Sequence, residues 1–251
     1  TATATEADGD VANTVATLDV TVGGPEDEPI VTVTDVTGDE DTAIALDITA
    51  TLADGSTGDA PQAMFMLDEG SDSVLKVTVD GGVQVVVTKE EIMAATGEED
   101  ADLDDRGIAV DDAGNIYFTE ENSDALLMQP ADGGPLQVVA TEAQISAVTG
   151  YGVSADPKSL TVGDDGTIYV TDDQSDSIFT YDPATGSLDL LVSKTDLQNL
   201  PGISSIDLDG GIVVSPSGMV YAASDGSPDA IIAIDTATGT PSVLASGTPF
   251  Q

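Results

Sequence analysis

The chain of 251 residues has no cysteine, no histidine and no tryptophan, and it carries only five lysines and arginines. Without cysteine there is no disulfide framework, and no thiolate ligand or nucleophile. Without histidine the usual neutral-pH base and commonest metal ligand are missing. Serine-hydrolase triads and imidazole zinc sites are therefore excluded. Five cations cannot neutralise a phosphate backbone, so a nucleic-acid partner is excluded as well. No apolar run approaches the ~18 residues of a membrane-spanning helix, so no membrane insertion is expected, and no signal-peptide pattern is visible. The chain opens on Thr1 rather than Met, as expected of a processed product or an excised piece.

What is abundant is acid. Asp and Glu total 47, for a formal net charge of −42, and 35 of them are Asp. Asp favours turns, caps and oxygen-ligand loops over exposed helix faces, where Glu is the better helix former. Self-repulsion on this scale strains a compact state and is screened by salt over roughly 10 Å at 0.1 M. A saline or calcium-containing exterior suits such a chain, which points to an extracellular or bacterial cell-surface location. Hydrophobic residues at 40% are enough for a core.

Residues 1–22 read as a hairpin, with Glu6–Asp10 as its acidic turn and Thr14–Val22 alternating as a strand. A Pro/Gly/acid linker follows at 23–29. Residues 30–60 open with a second strand pair, Ile30–Val36 and Thr42–Leu52. Two strand pairs are too few for one sandwich, which needs about seven strands. The reading is therefore that 1–22 close one β-sandwich and 30–60 begin another. The texture of TATEADGDVANTVATLDVTV and GDEDTAIALDITATLADGS resembles the immunoglobulin- or cadherin-like repeats of giant bacterial (RTX-type) surface adhesins.

Residues 61–251 carry an internal repeat. Ile108–Thr119 aligns without gaps to Leu160–Thr171 and to Ile212–Ala223. Gly114, Gly166 and Gly218 fall 52 residues apart, as do Tyr117, Tyr169 and Tyr221. Phe65 holds the tyrosine's place in an earlier copy that has lost its first strand or merged it with the linker. Each unit reads as four short strands separated by polar turns, the pattern of a β-propeller blade. Thr88-Lys-Glu-Glu91, Thr141-Glu-Ala-Gln144 and Ser193-Lys-Thr-Asp196 are capping boxes, placing a short helix before Gly97, Gly150 and Gly202. The fold class is thus all-β, a β-propeller preceded by sandwich-type strands. The run GIAVDDAGNIYFTEENSDALL resembles NHL-type repeats and the related lactonase-like six-bladed propellers. It departs from the usual NHL unit where an Asn-Arg pair follows the second strand, since Ser123-Asp124 and Ser175-Asp176 stand there. Four units fit this chain, so the resemblance implies part of a six-bladed propeller.

Candidate sites follow from the acids. The turns Asp68–Asp72, Glu120–Asp124, Asp172–Asp176 and Ser224–Asp229 either ring one face with carboxylates or hold themselves closed, their Ser and final Asp bonding nearby backbone N–H groups. Asp100, Asp102 and Asp104 are the densest cluster and present alternate carboxylates to a hard cation such as Ca2+, which takes 6–8 oxygens. The alternative is a solvated acidic loop. Asp8 and Asp10 are a second candidate pair for calcium, at a domain junction. Arg106 and Lys158, 52 apart at the start of inner strands, either hold an anionic ligand group or pair with Asp104, Asp105 and Asp156 beside them.

No nucleophile, phosphate loop or acid/base pair is recognisable. The expected function is an extracellular adhesin segment, non-enzymatic, whose propeller recognises a carbohydrate, peptide or small-molecule ligand or acts as scaffold. The alternative implied by the lactonase-like resemblance is a calcium-dependent hydrolase with its metal in the central channel. The inner strands Ile108–Val110, Leu160–Val162 and Ile212–Val214 offer such a channel no carboxylates, though the loops above them could.

Overall fold

Short runs of β-branched and apolar residues, interrupted by Asp and Gly at a fixed phase, leave this chain little choice but antiparallel hairpins. The computed structural model describes residues 2–5, 11–14, 29–33, 48–52, 63–78, 80–150 and 154–247. The chain divides into two units, Thr1–Gln62 and Ala63–Gln251.

In the first unit, β1 (Ala2–Thr5) pairs with β2 (Val11–Thr14), Ala2 opposite Thr14 and Thr5 opposite Val11. The second strand of this hairpin thus begins straight after Asp10, ahead of the expected Thr14–Val22, and 15–22 lie outside the described residues. β3 (Pro29–Val33) and β4 (Ile48–Leu52) form a second antiparallel pair with Ile30 opposite Thr51. Asp8, Asp10 and the linker up to residue 28 also lie outside the described residues.

Among the described residues the second unit is a series of four sheets, three of four strands and one of three. The first contains β5 (Ala63–Asp68), β6 (Ser73–Thr78) and β7 (Val83–Val87). The second contains β8 (Ile108–Val110), β9 (Ile116–Glu120), β10 (Ala125–Gln129) and β11 (Gln137–Ala140). The third contains β12 (Pro157–Val162), β13 (Ile168–Asp172), β14 (Ser177–Asp182) and β15 (Ser187–Val192). The fourth contains β16 (Ile212–Val214), β17 (Met219–Ser224), β18 (Ala230–Asp235) and β19 (Thr240–Ser246). Every sheet runs in simple sequence order. Tyr117, Tyr169 and Tyr221 each sit on the second strand of a four-stranded sheet and pair with an inner-strand residue, Ala109, Thr161 and Val213.

Connecting helices follow the capping boxes. α1 (Lys89–Thr96) and α2 (Glu142–Thr149) each begin on a reciprocal box and end on a left-handed glycine, Gly97 and Gly150. α3 (Lys194–Gln198) begins the same way at Ser193 but stops at Asn199. It falls short of Gly202 because Pro201 disfavours helical geometry at Leu200. Gly114 shows why the turn before each second strand needs glycine: its φ is 86°, and its N–H bonds Asp111 O while Asp111 N–H bonds Asn115 O.

Packing between sheets makes the core. β9 and β13 are buried at every residue, since a sheet covered on both faces loses the polar–apolar alternation of a one-sided sheet. β5 and β17, in the first and last sheets, alternate in burial. Three hydrophobic clusters each straddle two consecutive sheets. Val74, Val87 and Ile92 meet Ile116, Phe118 and Leu127; Tyr117, Leu126 and Ile145 meet Ile168, Val170 and Phe179; Tyr169, Ile178 and Leu197 meet Val220, Ala222 and Ile232.

Candidate functional site

Because neighbouring strands are antiparallel, the turns after the second strands and the loops entering the innermost strands lie at the same end of each four-stranded sheet. Here the acids gather. In the second to fourth sheets the first residue of the turn acts as a hub. The Glu120 carboxylate is fully buried and accepts from Asp102 N at 2.8 Å, Asn122 N at 3.1 Å, and Ser123 N and Oγ at 2.8 and 2.5 Å. Asp172 does the same for Asp156 N at 2.6 Å and for Ser175. In the fourth sheet Ser224 Oγ takes the role, accepting from Asp207 N at 3.2 Å and Gly226 N at 3.3 Å.

The turn's last residue works differently. Asp72, Asp124 and Asp176 all adopt left-handed backbone, φ 46–48°, which Asp tolerates better than most residues. From there Asp72 and Asp176 reach across to the next sheet. Asp72 Oδ1 accepts from Leu103 N at 3.4 Å, and Asp176 Oδ1 from Leu208 N at 3.1 Å. Lysine at the first position of the connecting helix takes each other oxygen: Lys89 Nζ donates to Asp72 at 2.7 Å, and Lys194 Nζ donates to Asp176. Ser123 and Ser175 hold their turns as the sequence suggests, but their partner is the first carboxylate, while the final Asp of the first and third sheets crosses the seam.

Among the described residues two carboxylate triads result, Asp72–Asp102–Asp104 and Asp173–Asp176–Asp207, each with one oxygen per residue within 4.8 Å of the others. Each triad brings acids of two consecutive sheets together, and an all-oxygen donor set of this kind fits a hard cation. Burial and the nearby charges of Glu69, Asp102, Asp72 and Asp105 hold the Asp104 carboxyl above its ordinary range. Burial, then Asp156 and Asp207, push Asp173 up to about 6 against the relief given by Lys158. Of the three acids singled out in the sequence, Asp102 and Asp104 enter the first triad. Asp100 instead pairs with Lys89 Nζ at 2.6 Å, and that hydrogen bond lowers its pKa. Asp72 was not singled out as a ligand, because it stands 30 residues before Asp102. Its signal was the 52-residue phase shared with Asp124 and Asp176.

Arg106 and Lys158 meet at the seam between the second and third sheets. The Arg106 side chain is 1% exposed. Its Nη1 lies 2.5 Å from Asp156 Oδ1 and donates to Pro157 O at 3.0 Å, while Nη2 lies 2.8 Å from Glu121. Its buried Nε has no partner among the described residues. Lys158 Nζ lies 3.6 Å from Asp156. Both cations therefore face Asp156, and Glu121 takes the place foreseen for Asp104 and Asp105.

This middle seam breaks the pattern of the other two. Where they have lysine at the helix start, it has Glu142. Asp124 consequently faces Asp156, Glu142 and Glu120 with Arg106 as counter-charge, and burial first, then those anions, push its carboxyl up to about 7.

No family model matches the chain, and no curated protein matches it. Solved structures do. The chain is similar to the nidogen–laminin complex (16% identity, TM-score 0.51), with 75% of this chain and 63% of that one covered. It is similar to a gluconolactonase from Xanthomonas campestris (17%, TM-score 0.52), covering 74% of this chain and 59% of that one. It is also similar to virginiamycin B lyase from Staphylococcus aureus (14%, TM-score 0.50), covering 98% and 63%. The chain thus spans less than two thirds of each. The likeness shows an all-β fold of the six-bladed propeller type, shared by binding proteins and by lactonases and lyases.

Proposed function

We propose that this chain is a segment of an extracellular adhesin on a bacterial surface, in which the propeller is a recognition or scaffold module held together by calcium. The observation that carries this reading is the pair of carboxylate triads at seams between consecutive sheets, in a chain of net charge −42. A divalent cation there joins two sheets and cancels repulsion in one act, whereas monovalent salt only screens it. The adhesin part rests on the resemblance of residues 1–60 to surface-repeat strands, and the ligand class is an extracellular carbohydrate, peptide or small molecule. For the hydrolase alternative the inner strands supply no carboxylates, and Arg106 and Lys158 are engaged by Asp156.

Calorimetry with calcium, set against magnesium at equal ionic strength, tests the metal part. Saturable calcium heats and a melting temperature that rises more with calcium than with magnesium are expected. The Asp102→Asn/Asp104→Asn double variant should lose the first triad's share of both, leaving the second triad's. Equal shifts with both cations, or with matched NaCl, would leave only screening. Immobilised glycans and peptides, probed with and without a chelator, test recognition. No retention on either panel with calcium present would reduce the module to a scaffold.

A further inference from the structure

We propose that this chain cleaves its own Asp156–Pro157 peptide bond, with the Asp156 carboxylate as nucleophile and Asp124 as the acid that protonates the leaving nitrogen. A broken equivalence among the seams points there. Asp102, Asp156 and Asp207 hold the same place in successive sheets. Each gives its N–H to the first side chain of its sheet's turn, Glu120, Asp172 or Ser224. Each carbonyl accepts from the next turn residue, Glu121, Asp173 or Asp225. The residues that follow them are Leu103, Pro157 and Leu208. At the first and third seams the turn aspartate of the preceding sheet accepts the N–H of that following residue, Asp72 from Leu103 and Asp176 from Leu208. Asp124 holds the equivalent place at the middle seam, but the residue across from it is Pro157, whose nitrogen carries no hydrogen.

Asp124 has no lysine at the helix start either, since Glu142 stands there. The charged groups that face it are Asp156 from the loop entering the third sheet, Glu142 from α2, Glu120 from its own turn, and Arg106, which donates to Pro157 O at 3.0 Å. Burial first, then the three anions, keep its proton on up to about pH 7. A neutral carboxyl therefore stands beside an Asp–Pro bond. Such a bond is chemically predisposed to break. The aspartate side chain reaches its own carbonyl carbon by closing a small ring, and the tertiary amide nitrogen of proline takes a proton more readily than a secondary one.

Asp156 is held for the reaction from several sides. Its Oδ1 lies 2.5 Å from Arg106 Nη1, its Oδ2 3.6 Å from Lys158 Nζ, and its N–H bonds Asp172 at 2.6 Å. Oδ2 attacks the Asp156 carbonyl carbon, and the carbonyl oxygen, gaining charge, already accepts from Asp173 N at 3.0 Å. The C–N bond breaks as Asp124 passes its proton to the Pro157 nitrogen. Water opens the resulting cyclic anhydride and leaves Asp156 with α- and β-carboxylates. Of the two protons released, one restores Asp124 and the other makes the new amine an ammonium. The sum is hydrolysis of one peptide bond. The ammonium gives Asp124 the N–H that Leu103 and Leu208 give its counterparts.

The chain carries its own control. Its other Asp–Pro bond, Asp182–Pro183, sits in a hairpin turn where Asp182 spends both oxygens, on Thr185 Oγ1 at 2.7 Å and on Ala184 N at 2.8 Å. The whole chain is incubated at pH 6 and at pH 8 and read by mass under denaturing conditions. Fragments 1–156 and 157–251 should accumulate, about tenfold more slowly at pH 8 because Asp124, at about 7, has lost its proton. Asp182–Pro183 should stay whole. Pro157→Ala should abolish the cut, and Asp124→Asn should slow it at pH 6 by about 100-fold or more. Glu142→Lys, which lets Asp124 ionise earlier, should slow it at pH 7. Ordinary lability of an unfolded chain has the opposite signature, with both Asp–Pro bonds cut alike and faster in urea. That signature, an intact chain at both pH values, or an Asp124→Asn chain that melts cooperatively and cuts at the parent's rate would each overturn the proposal.

Discussion

Glu142→Lys is expected to stabilise the protein above neutral pH, and the repeat itself says why. At the first and third seams an ammonium from the helix start neutralises the turn aspartate, Lys89 on Asp72 and Lys194 on Asp176. At the second seam Glu142 stands in that place, and the Asp124 carboxyl is pushed from 3.8 to about 7, by burial first and then by Asp156 and Glu142. A raised folded-state pKa means that the folded chain holds this proton more tightly than the unfolded one. The cost of ionising Asp124 is therefore absent below about pH 4, grows as pH rises, and is complete above about pH 7. Taken at face value the shift corresponds to about 4 kcal/mol. Solvent at the partly exposed turn screens much of that, leaving about 1–2 kcal/mol. For a unit of this size that is roughly 3–6 °C in melting temperature. Relative to the slope that Asp173, at about 6, gives every variant alike, melting in 0.15 M NaCl at pH 5.5, 6.5, 7.25 and 8 should show the parent falling across the last three points. Glu142→Lys should stay flat and melt higher at pH 8. Asp124→Asn, which keeps the left-handed backbone and cannot ionise, should also be flat. A parent slope identical to that of Asp124→Asn would refute the reasoning.

Two further outcomes are expected. Arg106→Ala removes the guanidinium that joins Glu121 to Asp156 and Pro157 O. Because both carboxylates stay partly hydrated, the loss should be about 2–3 kcal/mol rather than the ~3–5 of a fully buried pair, read as urea midpoints, and Arg106→Lys should not restore it. Gly107→Ala places a Cβ 2.7 Å from Leu160 N and 2.9 Å from Lys158 O. Both are backbone of the next sheet and cannot rotate away, so a loss of about 2–3 kcal/mol is expected in thermal melts; a variant as stable as the parent would show that this seam is loose.

The period was the legible part of this chain. Gly and Tyr repeating at 52 residues fix where each hairpin turns and which strand follows, and Thr88, Thr141 and Ser193 mark helix starts by capping chemistry that is local in sequence. The site was only half legible because its geometry is not local. Asp102 and Asp104 announce themselves as alternate acids, but the third member, Asp72, arrives from the previous sheet and depends on a left-handed turn. Asp100 has the same spacing as its neighbours, and only Lys89, eleven residues upstream on a helix, draws it away. The same non-locality hid Glu142, which looks like an ordinary first-turn acid of a helix until the lysines at the two equivalent positions are set beside it.

Each hydrophobic cluster being split between two sheets has a consequence during synthesis. A sheet that has just left the ribosome owns half a core, and its other half is encoded one period later. At about 5–20 residues per second the 52-residue delay lasts roughly 3–10 s, far longer than the ~1–10 μs a hairpin needs to form. The strands of each sheet therefore pair well before anything covers their apolar face. Through that interval the nascent chain is protected from its neighbours chiefly by the acids of its turns.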